Sequence, residues 1–251
     1  MQFGRVPQVL GGAAAAIWPR ACAACGCDAI GPVCDACGNE LSDASAEPAC
    51  AACGQPVGSD ASSACPWCGG AGDGPIRRTV RLWPFAGAAR TLIHAAKFGG
   101  RWELSRWLGE RLADRVRAAG VSVGLDAIVV PVPLHPHRRA LRGHDQAAGA
   151  AAGLAAGLKR PVVAALERCR ATAAQTSLTS IAARRRNVRD CFTVVDPPRV
   201  AGHAVLLVDD VRTTGATLRS AARELLDSGA GEVVAAVLAV ADPRRRGELD
   251  A

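Results

Sequence analysis

The chain contains no tyrosine, one methionine and nine aromatic side chains, four Phe and five Trp, in 251 residues. That scarcity removes the stacking platforms on which single-stranded nucleic acid is usually held. Lysine is almost absent too, since all but Lys97 and Lys159 of the thirty cations are arginine. An Arg- and Ala-rich composition follows from GC-rich coding, so single arginines carry little meaning, and a lysine that survives the bias stands out. No apolar run is long enough to span a bilayer. Val6–Trp18 faintly mimics a signal peptide, but Pro7, Gln8 and two glycines dilute it, and the expected location is the cytoplasm. With 49% hydrophobic and 21% charged residues the chain is globular rather than disordered, with room for one α/β domain and a smaller module.

Cysteine is plentiful by contrast. Eight of the eleven fall in four Cys-x-x-Cys pairs, Cys22/Cys25, Cys34/Cys37, Cys50/Cys53 and Cys65/Cys68, and four pairs of thiolates on tight turns supply two tetrahedral Zn²⁺ sites. Gly26, Gly38, Gly54 and Gly69 follow one cysteine of each pair, as knuckles require where backbone N–H groups turn toward sulfur. Consecutive pairs sharing an ion is the simplest assignment, cross-bracing of alternate pairs is another, and disulfides are the competing chemistry. Cys27, Cys169 and Cys191 are left over with no nucleophile's base beside them. Residues 1–75 carry two Arg against seven acids, a formal −5, and residues 76–251 carry the +12 that remains. An acidic zinc segment repels polyphosphate, so its expected work is to fold a short segment or dock a protein. Gly69–Pro75 reads as a linker.

The most informative stretch is Ala204–Leu218. An apolar run, Ala204 to Val208, ends in Asp209 and Asp210, followed by Arg212-Thr213-Thr214-Gly215-Ala216-Thr217 and a helical pattern from Leu218 to Leu226. A buried parallel strand that ends in acids, then a hydroxyl-rich turn opening a helix, makes a phosphate cradle from free N–H groups and the helix dipole. Carboxylates beside it suit ribose hydroxyls or hydrated Mg²⁺. Strands are also expected at Thr79–Phe85, Ala127–Val132, Pro161–Leu166, Phe192–Val195 and Glu232–Ala241, and helices at Ala86–Lys97 and from Gln146 to about Leu158.

Lys97 against Gly99 and Gly100 suits pyrophosphate, although a helix stop with a dipole-matching cation explains the same residues. Arg138, Arg139 and Arg142 at a strand exit suit a multiply charged anion. Arg168–Arg189, polar and ending in Arg184-Arg185-Arg186, has the length and charge of a closing flap, or of a nucleic-acid arm.

In order along the chain, the double zinc-knuckle segment, Lys97-Phe98-Gly99-Gly100, Val130-Pro131-Val132-Pro133-Leu134-His135, Arg142-Gly143-x-x-Gln146, the Gln175 to Asn187-Val188 segment and Val208-Asp209-Asp210 to Leu218 resemble the ComF family of phosphoribosyltransferase-like proteins. The resemblance implies an N-terminal helix and a double zinc ribbon together over residues 1–72, and over residues 76–243 a type I phosphoribosyltransferase domain, a parallel sheet flanked by helices. It also implies a cytoplasmic protein linked to competence and DNA uptake. By position, Asp209 and Asp210 would hold ribose hydroxyls and Mg²⁺, and Thr213, Thr214, Gly215, Ala216 and Thr217 the 5′-phosphate. Lys97, Gly99 and Gly100 would face pyrophosphate, Arg138 and Arg142 would add anion contacts, and Gln175, Arg184 and Arg185 would lie in the closing loop. Three departures from the family's pattern, His144-Asp145 for Phe-Asn, Ala183 for Glu and Asp190 for Gly, fall outside the phosphate site.

The expected activity is transfer of phosphoribosyl from phosphoribosyl pyrophosphate to an acceptor. The first alternative is a scaffold that binds the phosphorylated ribose without chemistry and docks a partner of the DNA-uptake machinery. The second is a single-stranded DNA accessory protein.

Overall fold

The computed structural model describes residues 21–57, 65–69, 72–99, 101, 103–121, 124, 126–134, 144–168 and 191–242. Its regular elements are α1 (Asp35–Ala46), β1 (Arg78–Pro84), α2 (Gly87–Phe98), α3 (Glu103–Ala118), β2 (Ile128–Pro131), α4 (Gln146–Leu158), β3 (Leu166–Arg168), β4 (Phe192–Val194), β5 (Ala204–Arg212), α5 (Ala216–Asp227) and β6 (Glu232–Val240). The central sheet runs β1-β6-β5-β2 with every pairing parallel, and β3 and β4 form a separate antiparallel pair.

Strands buried on both faces explain the unbroken apolar runs. Along β5, Leu206 and Val208 enter the core shared with α2, α3 and α4, whereas Val205 and Leu207 enter the opposite core with α5. In β6 the same division sends Val234, Ala236 and Leu238 one way and Val233, Ala235 and Val237 the other. Each face thus takes alternate residues of one apolar segment.

Helices α3 and α4 cross closely because glycine lines their contact. A side-chain carbon on Gly153 would stand 2.0 Å from the Arg106 carbonyl oxygen, and one on Gly109 would stand 2.0 Å from that of Ala150. Backbone atoms cannot yield as a side-chain tip does, so Gly153→Ala is expected to cost about 2–3 kcal/mol and lower Tm by roughly 5–10 °C in a thermal melt. An unchanged Tm would show that the two helices can separate freely.

The zinc segment covers the exposed edge of β1. Thr79 N–H donates to the Ala51 carbonyl at 3.0 Å, and Trp83 Nε1 donates to the Leu41 carbonyl at 2.8 Å from a side chain only 1% exposed. Glu40 Oε1 accepts from Ala88 N–H at 2.9 Å at the start of α2, and Glu47 pairs with buried Arg81 at 3.0 Å. An edge strand with free ladder groups is otherwise a template for aggregation.

Three expectations change. Pro161–Leu166 is not one strand: Val162 makes a lone parallel bridge to Val129, and only from Leu166 does β3 begin, paired with β4. β5 does not stop at Val208 but pairs with β6 through Asp209↔Val237 to Arg212↔Val240, because β6 is long enough to carry the ladder past the acids. Gly69–Pro75 is no free linker, since Asp73 within it is 4% exposed and held in an ion-pair network. The helix expected before the zinc ribbon falls outside the described residues.

Candidate active site and zinc centres

Consecutive knuckles come together. Cys22, Cys25, Cys34 and Cys37 form one cluster and Cys50, Cys53, Cys65 and Cys68 the other, each with all Sγ atoms within 4.8 Å of one another. The cross-braced alternative is thereby excluded. Bonds of about 2.3 Å to a tetrahedral zinc give S···S edges of about 3.8 Å. The Sγ pairs 25/34, 50/68 and 53/65 lie 3.6, 3.8 and 3.7 Å apart, which fits the ion and leaves the sulfurs unbonded to one another. Gly26, Gly54 and Gly69 take φ of +79°, +72° and +62° and donate back to the carbonyls of Cys22, Cys50 and Cys65, the turn each knuckle requires. The fourth knuckle instead runs into α1, so Gly38 is helical.

The thiols are electrostatically unequal. Burial raises Cys22, but backbone N–H groups of Cys25, Cys34 and Ala24 outweigh it and bring the thiol down to about 6. Cys65 falls to about 7 in the same way, with burial opposed chiefly by the Trp67 and Cys68 N–H groups. Cys37 and Cys53 are pushed up, first by burial and then by neighbouring thiols. A divalent cation removes that conflict by charge. Cys27, exposed and 3.3 Å from Cys25, stands beside the first cluster as a fifth sulfur. Cys191 is buried in the core of the sheet, and Cys169 lies outside the described residues.

The second centre sits at the C-terminal end of β5. Asp209 and Asp210 are half-buried there, and Lys97, from the last turn of α2, brings Nζ to 2.9 Å from Asp210 Oδ2. Asp209 Oδ1 accepts from Asp210 N–H at 2.8 Å, and Asp210 Oδ1 accepts from Val211 N–H. Burial and then the Asp210 charge push the Asp209 carboxyl up to about 8, against the Asp210 N–H, Lys97 and Arg168, which pull it down. Arg168 at the end of β3 is thus within electrostatic reach of Asp209. His94, one turn before Lys97, is held below its usual range by burial and by Lys97 and Arg90, and packs between Phe85 and Phe98 at ring distances of 6.0 and 5.8 Å.

Beyond the acids the chain turns through Thr213 and Thr214 to Gly215, φ +72°, the N-cap of α5. Thr214 Oγ1 accepts from Ala216 N–H at 3.4 Å. A depression of about 180 Å³ is lined by Asp209, Arg212, Thr213, Gly215, Ala216 and Thr217, among others. Asp209 and residues of the sequence-predicted phosphate loop therefore share one hollow at a helix N-terminus, with Lys97 paired to the adjacent Asp210. Gly99 is the C-cap of α2 and spends its N–H on the Ala95 carbonyl, 2.9 Å away. Gly100, Arg138, Arg142, Gln175, Arg184 and Arg185 lie outside the described residues. Among the residues that depart from the family pattern, Asp145 N-caps α4 through Ala147 and Ala148 and also accepts from Leu134 N–H at 3.3 Å, while His144 Nε2 reaches the Ala96 carbonyl at 2.7 Å.

Sequence reading missed the support behind the loop. Asp73 Oδ2 lies 3.1 Å from Arg212 Nη2 and Oδ1 lies 2.6 Å from Arg219 Nη1, and Arg219 Nη2 donates to the Thr214 carbonyl at 2.8 Å. The only local signal was an acid set between two glycines, Gly72 and Gly74, both at positive φ.

Residues 145–251 match the phosphoribosyl transferase domain family. The DNA utilization protein YhgH of Escherichia coli K12 is 35% identical over 162 residues, 63% of this chain and 70% of that protein. Competence protein F of Haemophilus influenzae is 32% identical over 146 residues, 57% of this chain and 63% of its own. Among solved structures, the glutamine phosphoribosylpyrophosphate amidotransferase from B. subtilis aligns with 53% of this chain and 25% of its own at 26% identity, with a TM-score of 0.36. A parallel sheet flanked by helices, with a phosphoribosyl transferase domain match and two four-cysteine clusters ahead of it, defines a phosphoribosyltransferase-type protein with a double zinc ribbon. Its relatives narrow that class, and the chain belongs to the ComF family. Among the described residues no helix is long and apolar enough to cross a membrane.

Proposed function

We propose that the chain binds phosphoribosyl pyrophosphate with Mg²⁺ and transfers the phosphoribosyl group to an acceptor. The observation that supports this most directly is the juxtaposition of Asp209 and the Thr213–Thr217 turn in one hollow, with Lys97 paired to Asp210 at its edge. The turn takes the 5′-phosphate on backbone N–H groups, hydroxyls and the positive end of α5. Asp209 and Asp210 take the ribose hydroxyls and waters of the cation. Hard carboxylate oxygens fit Mg²⁺, which when bound neutralises pyrophosphate charge. Lys97 releases Asp210 to meet the leaving pyrophosphate, beside Gly99 and Gly100. Arg138 and Arg142 supply further anion contacts, and Gln175, Arg184 and Arg185 belong to the loop that closes over the ligand.

In the transfer, the acceptor's lone pair forms a bond at the ribose anomeric carbon as the bond to pyrophosphate breaks, and pyrophosphate departs with the electron pair. The chain's residues work by fixing both ends of the sugar and holding cations on the leaving group. The relatives' names, a competence protein and a DNA utilization protein, support a place in the uptake or use of DNA. Thiolate clusters support a reducing compartment, the cytoplasm. The module boundaries we adopt are residues 1–72 and 76–243.

Calorimetric titration with phosphoribosyl pyrophosphate and Mg²⁺ tests the reading. Saturable heat is expected from the zinc-loaded protein and none from Asp209→Asn/Asp210→Asn. No binding by the intact protein would refute it.

A further inference from the structure

One carboxylate beneath the phosphate turn serves two guanidinium groups. Asp73 is 4% exposed and Arg212 6%, and Asp73 belongs to no part of the turn predicted from sequence. The two arginines press on Gly215 from the side where any other residue would carry its side chain: a carbon there would meet Arg219 Nη1 at 2.7 Å and Arg212 Nη2 at 2.8 Å. Arg212 Nε, 3.0 Å from that same point, is buried with no hydrogen-bond partner, although Arg212 lines the hollow. An orphaned charged donor in a buried place is costly unless something arrives to accept from it. Two guanidiniums against one carboxylate also leave a net positive charge under the turn.

Asp73 follows the second zinc cluster closely in sequence, and other contacts join that cluster to the same place. Gln55 Nε2 donates to the Ala241 carbonyl at 3.0 Å, while Ala241 N–H donates to the Arg212 carbonyl at 2.9 Å. Arg212 thus stands between an anionic four-thiolate centre and the phosphate turn.

We infer that Asp73 is a positioning residue for the phosphate site: it clamps Arg212 and Arg219 behind Gly215, leaves Arg212 Nε to donate to a bound phosphate, and ties ligand affinity to the second zinc cluster. This rests on the phosphoribosyl pyrophosphate reading for the identity of the ligand, but not for the network itself. Because coupling is reciprocal, the ligand should protect that zinc as the zinc supports the ligand.

The test uses the full zinc-loaded chain, phosphoribosyl pyrophosphate with Mg²⁺ as probe, and a chromophoric chelator to follow zinc release. Asp73→Asn should weaken binding about tenfold or more, and Asp73→Glu, which restores the carboxylate, should recover most of that loss. In the wild type the ligand should slow release of one zinc equivalent of two, and in Asp73→Asn it should not. Affinity of Asp73→Asn within twofold of wild type, or a loss that Asp73→Glu does not repair, overturns the inference. Should Asp73→Asn fail to fold, Arg219→Gln removes one of the two clamped guanidiniums, with its pair to Asp73 and its bond to the Thr214 carbonyl, and leaves the Asp73–Arg212 pair; roughly threefold weaker binding sustains the inference and unchanged affinity overturns it. If the wild type binds no ligand, the functional proposal falls, and zinc release without ligand decides the network separately. Faster loss of one equivalent from Asp73→Asn than from wild type sustains it, and equal rates overturn it.

Discussion

Cys53→Ser should leave the chain with one zinc equivalent instead of two and lower its Tm by about 10 °C or more. Structural zinc supplies on the order of 10 kcal/mol to the segment that closes around it, comparable with the whole stability of a domain. Cys53 is the most buried thiol of its cluster at 1% exposed, so a serine hydroxyl there is both a poor ligand and a buried polar group. The loss would not stay local. Gly54 packs on Thr79 and Val240, with a side-chain carbon at Gly54 only 3.0 Å from Thr79 Cγ2, and Ala51 and Gln55 bond the backbone of β1 and the end of β6. Opening the second cluster therefore uncovers the sheet edge. At roughly 2–4 °C per kcal/mol for a chain of this size, loss of even about 4 kcal/mol gives the expected shift. Metal analysis and a thermal melt read both effects. Cys27→Ser is the control: exposed and outside the four-sulfur set, it should keep two zinc equivalents and the wild-type Tm. Two equivalents in Cys53→Ser would contradict the ligand assignment.

The parts of the molecule visible in its sequence are those fixed by local pattern. Val205–Val208 alternates between two cores and is apolar throughout, so it announces a strand buried on both sides, and the acids and threonines that follow announce a site at its end. Cys-x-x-Cys spacing announces zinc, but which knuckles share an ion is a question of folding, and only the sulfur positions answer it. Helix α1 gave no signal, because only Cys37 and Leu41 of its twelve residues are buried and no apolar period results. Asp73 was invisible for a different reason. Its partners lie 139 and 146 residues away, and nothing local distinguishes a buried bridging aspartate from a polar turn residue. The same applies to Glu40 and Glu47, whose partners lie 48 and 34 residues away across the join between zinc segment and sheet. The loop proposed to face a ligand was thus legible and the residues that hold it in place were not. Side chains that touch a ligand cluster in one loop, whereas those that support the loop are recruited from wherever the fold brings them.

Asp209→Asn should make the ligand-free protein more stable at alkaline pH while abolishing Mg²⁺-dependent ligand binding. The Asp209 carboxyl is raised from 3.8 in the unfolded chain to about 8 in the fold, by burial first and by Asp210 second. Between those values the native state holds a proton that the unfolded chain has released, so stability falls as pH rises. This contribution is complete below about pH 4 and gone above about pH 8. One pKa unit corresponds to about 1.4 kcal/mol, but a half-buried carboxyl is partly screened by water, and a net effect on the order of 1–3 kcal/mol is expected. Asparagine does not titrate and escapes the loss. Melting curves at pH 5 to 9 without divalent cations should show the variant's Tm advantage widening by several degrees toward alkaline pH, and parallel curves would sink the assignment. The same proton has to leave before Asp209 can accept a cation's hydration shell, so Mg²⁺-dependent affinity of the wild type should climb with pH until about 8 and level off. A site that sacrifices stability at the pH where it works is the expected signature of two acids kept close together for a positively charged ligand.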